Sequence, residues 1–259
     1  GGSGGGGYGV GVGIASNGVI STVDGALLIT GIGNAVSTAT GGNNYGIYII
    51  NSGGQIKATG SGAVTINATA GTDNGNYNYG IQIYTTSTAA LSSITANGGA
   101  MIINGKGGMG TGSSAAGVVI DGAWSTISNS GTGNLTINGT GGGSGNSNGG
   151  GFSTSGIASV VNGTLTINGA GGGAGTSASN YGIYVLNSSG GSIKSTGTGS
   201  LFLNGTGGTG SGGSNYGFYI RLANGIQTTG GGNITLTAIK GAGTSYGLYG
   251  DTTNSIITA

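Results

Sequence analysis

Nine side chains in this 259-residue chain carry charge: Lys57, Lys106, Lys194, Arg221 and Lys240 against Asp24, Asp73, Asp121 and Asp251. There is no His, Cys, Glu or Pro. That inventory excludes imidazole bases, thiolate nucleophiles, disulfides and zinc sites. Glycoside hydrolysis needs two carboxyl groups flanking one bond, and the four aspartates are too scattered to pair. Calcium-binding nonapeptide repeats need a recurring aspartate, whereas Asp73 is the single acidic residue of the long loops. Gly-rich stretches such as 139–145 lack the Lys-Ser/Thr and the helix of a phosphate-binding turn. The expectation is a non-enzyme with no cofactor and no metal. A net charge of +1 cannot neutralise a run of phosphates, so no nucleic-acid partner is expected. Without a long apolar run, no membrane insertion by this segment is expected either.

The remaining chemistry belongs to uncharged groups that recur. Tyr48, Tyr184, Tyr219 and Tyr249 share an outward strand position, the last three in consecutive units, and form a candidate adhesive ladder able to stack on sugars or a partner. Tyr8, Tyr45, Tyr79, Tyr181, Tyr216 and Tyr246 have the opposite parity and read as corner or core packing. Asn67, Asn104, Asn138, Asn168 and Asn204 precede Gly or Ala and read as a structural ladder at a strand end, in turn positions. Asn can also form stacked amide ladders. A Thr-x-Asn or Thr-x-Thr array could match ice, but Leu28, Ile102 and Phe202 interrupt it. Asn-x-Ser/Thr sequons at Asn67, Asn134, Asn138, Asn162, Asn187, Asn204 and Asn233 arise readily by chance in this composition.

These residues sit in a repeat. An aromatic-Gly-aliphatic motif has its glycine at 9, 46, 80, 117, 151, 182, 217 and 247, a mean spacing of 34 residues. In the fourth and fifth copies the aromatic place holds Ala116 and Gly150. Variants of Leu-Thr-Ile-Asn-Gly, from Leu27 to Ala238, keep the same period. A shorter apolar element is centred on Val19, Ile56, Ile94, Ile127, Val160, Ile193, Ile226 and Ile256. Apolar residues alternate at period two, as strands require. Three short strands cannot offset the entropy of ordering such a unit alone, so units must stack. The fold class expected is all-β: a parallel β-helix (β-solenoid) of about 7–8 coils, with right-handed crossovers as the default, forming one domain over residues 1–259. Stacking also explains the composition. Pro would delete ladder hydrogen bonds, and a charge repeated in every coil would face its own kind; Lys57 and Lys194 are placed four units apart. The chain starts in a loop and stops within a short strand at Ser255-Ile256-Ile257-Thr258 without a cap, which suggests a segment of a longer array or a subunit that associates end to end.

Units such as Asn215-Tyr216-Gly217-Phe218-Tyr219-Ile220 and Gly232-Asn233-Ile234-Thr235-Leu236 resemble the repeats of large bacterial surface β-helix proteins, the filamentous-haemagglutinin-like adhesins and autotransporter passenger regions. The resemblance is architectural and implies an extracellular or cell-surface shaft, exported by a type V-like route and presenting adhesive surfaces to glycans or cell-surface proteins. The secretion domain and amphipathic capping segments of that family are not visible in this sequence. The reading is a non-catalytic structural fibre, stalk or filament. The alternative is a carbohydrate-binding adhesin module using the outward tyrosines, and a lesser one is an ice-binding solenoid.

Overall fold

The computed structural model describes residues 9–34, 42–50, 53–72, 74–85, 91–110, 112–143, 149–186, 191–251 and 257–259. Every regular element among them is a strand. The strands build three parallel sheets, eight, eight and seven strands deep, each pairing only with its counterparts one period away. The tyrosine sheet holds Gly9–Ile14, Asn44–Ile50, Ile81–Tyr84, Val118–Asp121, Phe152–Thr154, Ile183–Val185, Phe218–Ile220 and Leu248–Gly250. The short-strand sheet runs from Val19–Thr22 to Ile257–Thr258. The asparagine sheet stacks Leu27–Ile32, Val64–Thr69, Met101–Lys106, Leu135–Thr140, Leu165–Ala170, Leu201–Thr206 and Ile234–Ile239. One strand from each sheet makes a coil, and the coils form the expected β-solenoid.

Alternation decides what lies inside. In Leu135–Thr140 the Leu and Ile are buried while Thr136 and Asn138 are half-buried on the outer face. Inward columns of like residues run the length of the molecule, among them Ile47, Ile81, Val118, Phe152, Ile183 and Phe218, all fully buried. Together with the columns of the other two sheets they form a single core. Ile dominates it because a β-branched side chain packs well on a pleated surface.

One corner has almost no room for side chains, its asparagine-strand position taking only Gly or, at Ala68 and Ala238, Ala. A Cβ on Gly46 would lie 2.6 Å from the Thr69 nitrogen, and one on Gly105 would strike the Gly117 carbonyl oxygen. The end of each asparagine strand thus abuts the start of a tyrosine strand, backbone against backbone, which accounts for glycine in both repeat motifs.

The structure corrects several alignments. In the first coil Val10, not Tyr8, stands beside Tyr45, so the corner glycine there is Gly11 rather than Gly9; Tyr8 lies outside the described residues. In the short-strand sheet Ile20 pairs with Ile56 and Val19 is 48% exposed. Ala158, not Val160, lies between Ile127 and Ile193. Ile257 pairs with Ile226, and Ile256 is outside the described residues. A period of two leaves such slips open in a four-residue strand, and the neighbouring coils choose between them. Lys57 and Lys194 are separated in their column by Thr95, Ser128 and Ser159.

Candidate functional site

On the asparagine sheet, Asn104, Asn138, Asn168 and Asn204 each donate from Nδ2 to the Oδ1 of the previous coil's asparagine, beginning at Asn67, over 2.7–2.8 Å. These residues are fourth in six-residue strands, not at a strand end, and none has a positive φ. The turn reading is therefore wrong. They sit in strands because each amide bonds the next along the column, forming a continuous row from Asn67 to Asn204. Three of the sequons fall in this row, and Asn134 and Asn162 accept backbone N–H groups from Thr164 and Thr198 of the following coil. Asn187 is outside the described residues. Beside the row, the outer column Leu28, Thr65, Ile102, Thr136, Thr166, Phe202, Thr235 has Leu28, Ile102 and Phe202 at 67%, 41% and 43% exposure. This breaks the threonine array where the sequence placed the interruptions.

The tyrosine sheet carries rings in two outer columns. The strand column reads Gly13, Tyr48, Gln82, Val119, Ser153, Tyr184, Tyr219, Tyr249. Tyr184 and Tyr219 stack with centroids 5.1 Å apart and planes 4° from parallel, and Tyr249 follows at 5.6 Å. Tyr48 is separated from them by three coils. The second column is the set of opposite parity, read as corner or core packing. Its rings pack at the corner, against the outer column rather than in the core: Tyr45, only 4% exposed, stacks on Tyr48 at 4.3 Å, and Tyr181 lies 4.9 Å from Tyr184 and 5.0 Å from Tyr219. Tyr246 is 55% exposed. Strict alternation does not carry back through the corner glycine, where the chain is pressed against the asparagine strand. The inward place is taken by the preceding residue: Asn44, Asn78, Asn180 and Asn215, each at most 2% exposed. Asn180 donates from Nδ2 to Asn215 Oδ1 over 2.9 Å, and Gly149 N–H donates to Asn180 Oδ1 over 2.8 Å. This buried column went unread, although the triplet Asn-Tyr-Gly at 44–46, 78–80, 180–182 and 215–217 signals it.

Tyrosine hydroxyls are tied locally. Tyr45 donates to Asn43 Oδ1 over 3.1 Å and Tyr216 to Ser214 Oγ over 3.2 Å, both acceptor residues having positive φ. Burial pushes the Tyr79 and Tyr181 phenols above their ordinary range, against the opposing effect of hydrogen bonds to Ser114 and Ser179. Tyr219 is pushed up to about 12, first by desolvation and then by its hydrogen bond to Asp251, made over 3.1 Å. Arg221 lies 3.6 Å from Asp251 and donates to the Tyr184 hydroxyl over 3.4 Å; that bond is the main reason its pKa is raised. Asp24 is held below the usual carboxylate range by the Ser61 N–H and hydroxyl, at 2.8 and 3.0 Å.

Between the two ring clusters both columns lose their tyrosines. The fourth coil offers Ala116 and Val119, the fifth Gly150 and Ser153, and over them opens a cavity of about 230 Å³. Tyr79 bounds it on one side, Tyr181 and Tyr184 on the other. Asp121 and Ser155 also line it, and the Ser155 hydroxyl donates to Asp121 Oδ1 over 3.0 Å. Among the described residues no three potential metal ligands of the His, Cys, Asp or Glu type cluster, and Asp73 lies outside them. The architecture and this face define a β-solenoid repeat protein with an aromatic outer surface. No family model, curated protein or solved structure matches the chain.

Proposed function

We propose that this chain is a non-catalytic structural module, a length of extracellular or cell-surface fibre whose faces serve adhesion. What supports the reading is the register: strands of successive coils pair in parallel along all three sheets, so each coil completes the hydrogen bonding of the next. Such an array is rigid along its axis and, with charges scattered rather than stacked, tolerates changes in salt. Immunogold labelling of the producing cells with antibody against residues 1–259 tests it. Label on filaments outside the cell is expected, and label confined to the cytosol overturns the reading.

A carbohydrate-binding module is the second reading, favoured by the stacked pair Tyr184–Tyr219 and the ring of Tyr249 beside it. Flat, half-buried phenols offer apolar faces and a polar rim together.

A further inference from the structure

We infer that the opening over the fourth and fifth coils is a binding notch for a neutral, hydroxyl-rich ligand, a short saccharide held against the face of Tyr184. The inference rests on the adhesive reading and names its site.

Equivalent residues of the third and sixth coils are three strand spacings apart, about 14 Å. Subtracting a ring's contact thickness leaves about 10 Å, enough for one or two sugar rings end on. Because Tyr184 lies flat on Tyr219 along the coil direction, its other face is turned toward Ser153 and the opening. Tyr181 lines the same wall and Tyr79 the opposite one. Apolar C–H faces of a pyranose match such rings. Ligand hydroxyls would meet Ser153, the remaining oxygen positions of Asp121, and the rim where Ser114 and Ser179 hold the Tyr79 and Tyr181 phenols. No Lys or Arg lines the cavity among the described residues, and Arg221, which donates to the Tyr184 hydroxyl, is already paired with Asp251, so an anionic ligand would lack an unpaired counter-charge. A compact cation would use Asp121 and the rings but leave the serines idle.

The emptiness is not imposed by the backbone. At the corner glycines an added Cβ collides with main-chain atoms, but at Gly150 it would meet nothing closer than Ala116 Cβ and Tyr181 O, both at 3.9 Å. The fifth coil could carry the tyrosine that the sixth carries at Tyr181. Its absence leaves the faces of the flanking rings available.

The test is a broad array of neutral glycans, followed by saturation-transfer NMR on any hit, with choline and glucuronate as charged controls. Binding by at least one neutral saccharide is expected, with transfer strongest to ring C–H protons. Gly150→Tyr and Ser153→Tyr, which refill the notch, should each weaken binding at least tenfold with no loss of melting temperature. Phe202→Ala, on another face, should leave it unchanged. No neutral glycan bound, choline bound in preference, or full binding by Gly150→Tyr would each overturn the proposal. Loss on Tyr249→Ala with binding kept in Gly150→Tyr would overturn the notch and leave the tyrosine stripe as the adhesive surface.

Discussion

The asparagine row and the tyrosine columns are carried on the same coils, yet they treat the fourth and fifth coils differently. The amide row passes through Asn104, Asn138 and Asn168 without a missing bond, and the asparagine strands there pair over six residues on both sides. The corner column stops at Tyr79 and resumes at Tyr181, the strand column stops at Tyr48 and resumes at Tyr184, and the buried Asn column breaks at Ala115 and Gly149. The interruption is therefore confined to one face and is not a defect of the coil. A row whose members bond one another leaves no gap for a ligand to enter, whereas a row cut in the middle exposes ring faces and unfilled space. Regularity supplies the shaft, and the departure from it supplies the place where chemistry can be selective.

The comparison can be broken most violently at the corner both faces share. Gly139→Val would drive a branched side chain into the Gly151 carbonyl and should cost about 3 kcal/mol or more, read as a fall of roughly 6–12 °C in melting temperature. Cutting the amide row comes next. Asn138→Leu strands the Asn104 oxygen and the Asn168 amide hydrogens and should destabilise by about 1–2 kcal/mol, measured by chemical denaturation; no change would mean the row is ornamental. Mending the tyrosine row should act in the opposite direction. Gly150→Tyr adds a ring beside Tyr181 worth about 0.5–1.5 kcal/mol, visible as a raised melting temperature.

The pH response sharpens the contrast further. Asparagines do not titrate, while Tyr219 is raised from 10.0 to about 12. Because the folded value exceeds the unfolded one, this contribution to stability is complete below about pH 10 and is lost as pH climbs through about 12. Melting temperature against pH should turn down across that window, and Asp251→Asn should bring the Tyr219 absorbance titration to lower pH. The smallest effect is expected from Thr95→Lys, which sets a lysine next to Lys57 in its column. A penalty below about 1 kcal/mol that fades with added salt is expected.

Much of this was legible in the sequence. The period, the inward aliphatics and the register of the asparagine column follow from spacing, because parallel stacking converts a repeat directly into neighbours. The consecutive stack Tyr184–Tyr219–Tyr249 followed in the same way. Less legible was anything decided at a corner. Period-two parity put Tyr181 and Tyr216 inside, yet the close approach at the glycine resets the alternation and hands the interior to Asn180 and Asn215. The notch was hidden for a related reason. Ala116-Gly117-Val118 and Gly150-Gly151-Phe152 satisfy the aliphatic half of the motif, so they count as ordinary copies until rings on either side show what is missing.

The asparagine row also has a direction. At all four steps the later coil donates and the earlier one accepts, so the side-chain amide dipoles align head to tail. Backbone dipoles in a sheet largely cancel, but these add, as they do along a helix. Thr30 and Thr237 occupy the same column beyond the two ends of the row, and a hydroxyl can either donate or accept. The solenoid therefore has an electrical polarity along its axis that owes nothing to its nine charged groups, and it would orient in an applied field even where its net charge is zero.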